Sequence, residues 1–218
     1  MQPLESTALF LTLGDAGLAA DLLYPADARA LVVFVHGSGS GRHSRRNQWV
    51  AREFAQRRMA TLLFDLLTEE EQRIDAVTRR LRFDIPLLGR RIVGVLDWLA
   101  RDAELAVLPL GLFGASTGAA AALIAAAQRP QTVRAVVSRG GRTDLAPDAL
   151  DGVAAPTLLI VGERDPDVLA LNREVARHLH GVQQVAVVAG ATHLFEEPGA
   201  LDEVTRLAGD WFRRFLMT

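Results

Sequence analysis

The chain has no cysteine and no lysine among its 218 residues; all 24 of its basic side chains are arginine. The missing cysteine excludes thiol nucleophiles, thiolate metal sites and disulfides together. The missing lysine excludes Schiff-base chemistry and the phosphate-cradling lysine of a Walker loop. No apolar run approaches the roughly 18 to 20 residues that a spanning helix needs. The N-terminal stretch MQPLESTALFLTLGDAGLAADLLYP carries acidic residues and no basic leader segment, so it does not read as a signal peptide. With these absences the cytoplasm is the expected compartment and no membrane partner is expected. A net charge of -2 gives no reason to expect nucleic acid. Neither a cofactor nor a metal is called for.

Half the residues are hydrophobic, enough to bury a large core, and residues 1–218 read as one α/β domain without repeat or linker. Ala8 to Leu13 and Leu18 to Tyr24 form an N-terminal hairpin signal across Gly14-Asp15-Ala16-Gly17. Apolar runs at 30–35, 60–65, 108–113, 134–138, 156–161 and 185–188 then alternate with helical patterns, as a mostly parallel, doubly wound sheet requires. Asn47 is the expected cap of the helix over 47–58. Thr68 and Glu71 form a capping box, with Ile74, Val77 and Leu81 as the apolar face of the helix that follows. The glutamates at 69–71 have no histidine nearby and read as a solvated helix start rather than a metal site. A further helix opens at Asp84-Ile85-Pro86, and Val204 to Phe215 supplies a closing apolar stripe.

Within that pattern, Gly114-Ala115-Ser116-Thr117-Gly118 joins a buried strand to an alanine-rich helix. The spacing G-x-S-x-G is that of a nucleophile elbow, where a strained turn presents a serine hydroxyl to a pocket and the neighbouring side chains must be small. The alternative for Ser116 is a plain helix cap. An elbow serine needs two backbone N–H donors for the oxyanion. Thr117 is the expected first donor, and Ser38 the second, with Gly39 as its alternative, in the loop His36-Gly37-Ser38-Gly39-Ser40-Gly41. His36 itself reads as a residue that ties this loop down.

Arg42, Arg45 and Arg46 lie just beyond this loop and are candidates for holding a substrate carboxylate or phosphate, against the alternative of a solvated basic patch. Arg139 and Arg142 emerge at the same sheet edge and are second candidates, the alternative being ion pairing to Asp144. After the strand at 156–161, Glu163, Asp165 and Asp167 compete to orient a histidine. Asp165 is preferred for its G-x-x-D-x-x-V setting, Asp167 being open to capping the next helix. His193 follows the last strand, where a general base belongs; His178 and His180 read as structural.

The whole alternation resembles the α/β-hydrolase superfamily. Within it, the stretches HGSGSG, GASTG, SRGGR and GATHLFEEPGAL resemble small dienelactone-hydrolase-like proteins, some of which are attached to phosphoribosyltransferase domains. The resemblance implies a catalytic triad of Ser116, Asp165 and His193, with serine where dienelactone hydrolases proper have cysteine. The expected activity is hydrolysis of a small ester or lactone through an acyl-enzyme. The alternatives are a non-catalytic binding or scaffold protein, and an acyltransferase or amidase using the same residues. The segment between Asp65 and the elbow strand is too short for a large lid domain, which favours an open pocket and small substrates. A homo-oligomer is compatible with this composition.

Overall fold

The computed structural model describes residues 5–217; the part of the N-terminal reading that falls on residues 1–4 lies outside them. Among the described residues eight strands form one sheet: β1 (Ser6–Thr12), β2 (Gly17–Leu23), β3 (Ala30–Val35), β4 (Met59–Phe64), β5 (Leu110–Ala115), β6 (Val133–Arg139), β7 (Thr157–Gly162) and β8 (Gln183–Val188). Their spatial order is β1-β2-β4-β3-β5-β6-β7-β8. The first two strands pair antiparallel, and β2 meets β4 antiparallel. All remaining neighbours are parallel. Strands β3, β4, β5 and β7 are buried at every position, as parallel strands covered on both faces should be.

Six helices complete the described chain: α1 (Arg45–Gln56), α2 (Glu69–Thr78), α3 (Ile85–Leu99), α4 (Thr117–Gln128), α5 (Pro166–His178) and α6 (Ala200–Leu216). Residues of α3, α4 and α5 pack with one face of the sheet. Those of α1 and α6 pack with the other, where Phe34, Phe54, Phe113 and Phe212 form a cluster with ring centroids 5.0 to 5.9 Å apart. The alanines of α4 let it lie close against β5, at the centre of the sheet. No described helix is long and apolar enough to cross a membrane. The architecture is the α/β-hydrolase fold, with its N-terminal antiparallel hairpin and no large lid inserted among the described residues.

Two local expectations are corrected. Helix α1 is capped by Ser44, whose hydroxyl accepts the Asn47 N–H at 3.4 Å; Asn47 lies buried inside the first turn instead of capping it. Helix α2 does begin at the Thr68–Glu71 capping box, but its apolar positions do not face the core. Ile74 and Val77 are 49% and 86% exposed, while Asp75 is buried. The reason is ionic: Asp75 accepts from Arg82 Nε at 2.5 Å and from the Arg82 backbone N–H at 3.1 Å, which turns the charged side of the helix inward. Leu81 belongs to a separate short 3-10 turn, Leu81–Phe83.

Candidate active site

The turn after β5 is as strained as its sequence requires. Ser116 has φ 49° and ψ -123°, in a region that non-glycine residues rarely occupy. A Cβ on Gly118 would fall on the carbonyl oxygens of Val35 and His36, and one on Gly114 would meet the Ala119 Cα at 2.6 Å. The elbow is therefore possible only with hydrogen at both positions. The Ser116 N–H donates to the Arg139 carbonyl at 3.2 Å, tying the elbow to the end of β6.

Three side chains from three separate loops meet above this turn. His193 Nδ1 lies 2.6 Å from Asp165 Oδ2, and His193 Nε2 lies 3.4 Å from Ser116 Oγ. The Asp165 side chain is mostly shielded and that of His193 about a third exposed, 15% and 38%. Of the rival acids, Asp167 sits in the first turn of α5. Glu163 accepts the Gly190 N–H at 2.7 Å and so holds the loop that carries His193. Within that loop Glu197 accepts the Thr192 N–H at 3.1 Å, and a hydrogen bond from Thr192 keeps the Glu197 carboxyl below the usual carboxylate range.

The glycine-rich loop after β3 passes directly over the elbow: a Cβ on Gly37 would stand 3.0 Å from the Ser116 Cβ. His36 secures it. Its Nε2 accepts the Leu66 N–H at 3.1 Å, which leaves Nδ1 to donate to the Gly37 carbonyl at 2.9 Å. Burial holds the His36 pKa below its ordinary value, against a weaker opposing pull from the Gly37 hydrogen bond and the Asp65 carboxylate. Thr117, first in α4, has no intrahelical acceptor for its N–H. The Ser38 N–H, by contrast, donates to Thr117 Oγ1 at 3.0 Å. Gly39 follows with φ 73°.

A cavity of about 680 Å³ opens on the far side of this loop, lined by His36 to Ser44, Asp65 to Leu67 and parts of α2 and α3. Ser116, Asp165 and His193 are not among its lining residues; Gly37 and Ser38 are the wall between the cavity and the elbow. The candidate arginines divide sharply. Arg42 is paired with Asp65 and Asp21. Arg46 donates to Glu196 at 2.8 Å and to the Leu194 carbonyl at 3.3 Å. Arg142 makes a two-pronged bond to Asp144 at 2.9 and 2.8 Å, the alternative named for it above. Arg45 is exposed, beside Glu196 and Glu197. Arg139 is half-buried at the end of β6, its guanidinium 5.8 Å from the Phe113 ring centroid, with Nη1 buried and without a hydrogen-bond partner.

Several residues that shape the site carried no local signal. Asn172, fully buried in α5, holds the 139–144 loop by donating to the Gly141 carbonyl at 2.8 Å and contacting Thr143 Oγ1 at 3.1 Å. Arg82 lines the cavity, held by Asp75. Such roles arise from partners about 30 residues away or on the far side of a helix turn, which periodicity cannot show. Glu196 and Glu197 were legible only as part of a motif; here each restrains the His193 loop.

Comparison with known proteins agrees with this architecture. Residues 28–207 match the family model described as "Alpha/beta hydrolase domain". A Mycobacterium tuberculosis (strain ATCC 25618 / H37Rv) protein named "Putative phosphoribosyl transferase" is 54% identical over 210 residues, 96% of this chain and 46% of that protein. This chain thus spans about half the length of the curated relatives it matches. The crystal structure of a dienelactone hydrolase from Anabaena variabilis ATCC 29413 is 51% identical with a TM-score of 0.96, covering 97% of this chain and 98% of that one. Est1E from Butyrivibrio proteoclasticus shares the fold at 15% identity, with a TM-score of 0.79 and coverage of 95% and 98%. With the model match extending over most of its length, the chain belongs to the α/β-hydrolase family.

Proposed function

We propose that this protein is a serine hydrolase that cleaves a small carboxylic ester or lactone. The observation that carries the proposal is the unbroken line of contacts from Asp165 through His193 to Ser116, at 2.6 and 3.4 Å. The longer contact is within the range of a resting nucleophile and base, which tighten when substrate arrives. His193 takes the Ser116 proton as Oγ attacks the ester carbonyl, and Asp165 fixes the imidazole tautomer and stabilises its cation. The Thr117 and Ser38 N–H groups receive the oxyanion. Collapse of the tetrahedral intermediate expels the alcohol, protonated by His193, and leaves an acyl group on Ser116. Water activated by the same imidazole then releases the acid and restores the serine.

The relative solved from Anabaena variabilis, named a dienelactone hydrolase, supports this class of chemistry. The Mycobacterium relative's phosphoribosyl transferase name belongs to a protein of which this chain matches only 46%. Ser116→Ala is expected to lower the turnover of p-nitrophenyl butyrate by at least about 10³-fold with the fold intact. A fluorophosphonate should label the parent protein at Ser116 and leave the variant unlabelled. Undiminished turnover by the variant would remove Ser116 from the mechanism.

A further inference from the structure

We propose that Asn172 is a positioning residue that locks the turn carrying Ser116 to the helix carrying Asp165. The proposal rests on the serine-hydrolase reading for what Ser116 and Asp165 do, and it adds how two groups with an imidazole between them are held at a fixed separation.

The case begins with the backbone of the nucleophile. Both polar main-chain groups of Ser116 are held by the segment that follows β6: the N–H donates to the Arg139 carbonyl at 3.2 Å, and the carbonyl accepts the Arg142 N–H at 3.0 Å. A strained conformation such as the φ of 49° at Ser116 persists only where its surroundings over-determine it. The same segment reaches the general base. A Cβ on Gly140 would stand 3.4 Å from His193 Nδ1, the nitrogen that faces Asp165. Residues 139–142 therefore bear on nucleophile and base together.

Asn172 pins that segment from α5. It lies about two turns along the helix from Asp165, whose carbonyl accepts the Leu169 N–H at 2.9 Å as the helix begins. The Asn172 side chain is fully buried and commits both of its donor hydrogens: Nδ2 donates to the Gly141 and Val168 carbonyls, each at 2.8 Å, while Oδ1 accepts the Thr143 hydroxyl at 3.1 Å. The Val168 bond fixes the amide to its own helix, and the other two cross to the loop. Gly141 is wedged from the opposite side, where a Cβ would fall on Ser138 Oγ and within 2.6 Å of Ala119 Cβ. A buried amide is costly unless its bonds are made, and once they are made it specifies one arrangement of its neighbours. A line of bonds thus runs from Asp165 along α5, through Asn172 to residues 141–143, and on to Ser116. Without it the loop is free to shift, and a displacement of under about 1 Å at the nucleophile carries a large rate penalty.

The test compares Asn172→Leu, which keeps the bulk and removes all three bonds, with Thr143→Val and Thr143→Ser, which remove and keep the hydroxyl. At a temperature where every variant is folded, Asn172→Leu is expected to lower kcat for p-nitrophenyl butyrate and the rate of fluorophosphonate labelling by about tenfold or more, with KM within about twofold of the parent. Thr143→Val should lower kcat about threefold, and Thr143→Ser should return it to the parent value. Exchange of the Arg142 amide hydrogen, the one donated to the Ser116 carbonyl, should speed about tenfold in Asn172→Leu. Unchanged kcat in folded Asn172→Leu overturns the proposal whatever its melting temperature, because the amide then serves folding alone. An unchanged Arg142 exchange rate overturns it as well. If Asn172→Leu does not fold, the threonine pair decides, and equal kcat in Thr143→Val and the parent sinks the proposal. The hydrolase reading is judged separately, by turnover and labelling of the parent. Should the parent show neither, that reading falls, while amide exchange still decides whether Asn172 holds the elbow.

Discussion

The backbone N–H of Ser38 donates to the side-chain Oγ1 of Thr117 across 3.0 Å, joining the loop after β3 to the first turn of α4. One N–H cannot serve this hydroxyl and an oxyanion equally well. In the proposed mechanism the bond is exchanged as the tetrahedral intermediate forms. Thr117→Val keeps the branched shape in a buried position but removes the competing acceptor. Its kcat/KM on a neutral ester is expected to rise about fivefold, equivalent to a net hydrogen bond of about 1 kcal/mol. A fall of similar size would mean that the hydroxyl holds the loop in its working position.

Acidification should loosen the same loop from the other side. The pKa of His36 is lowered on folding by burial, so between its folded value and its unfolded value of 6.5 the unfolded chain binds the extra proton. The stability it contributes is complete above 6.5 and declines as the pH falls below that point. Carboxylates held low by arginine, such as Asp97 beside Arg129 and Glu203 beside Arg206, lose their contribution only below the ordinary carboxylate range. The two windows separate. Melting temperatures of the parent should therefore drop between pH 7 and 5.5, with a flatter profile for His36→Gln. Parallel profiles would show that this imidazole is not the titrating group.

Gly118 is needed for space. The carbonyls that a methyl group there would strike belong to the backbone of Val35 and His36, and neither can rotate away. Gly118→Ala should cost about 3 kcal/mol in chemical denaturation. It should also reduce ester turnover more than it reduces stability, because relief of the clash moves α4 and the elbow together. Stability within about 0.5 kcal/mol of the parent would show that the contact relaxes without strain.

The sheet was legible in the sequence because fully buried parallel strands are continuous apolar runs, and β3, β4 and β5 are of that kind. The elbow was legible because Gly114, Ser116 and Gly118 satisfy a steric demand that few other patterns meet. Helix α2 was misread for a physical reason. Ile74 and Val77 have helical spacing, but the Asp75–Arg82 pair, closed across a break in the helix, outweighs their burial. Arginine pairings were illegible for a related reason: Arg42 and Asp65 meet only because β4 lies beside β3 and β2. Competition among Glu163, Asp165 and Asp167 needed coordinates, since loop geometry alone decides which acid reaches His193.

One wall of the large cavity is a helix that buries a charge and leaves its aliphatic side chains in water, anchored through Arg91 at its start and Arg82 near its end. Because so little of the hydrophobic interior depends on it, this wall can be changed by substitution while the sheet and the turn at Ser116 stay intact. Among related chains, substitutions should therefore be tolerated most readily between residues 68 and 83.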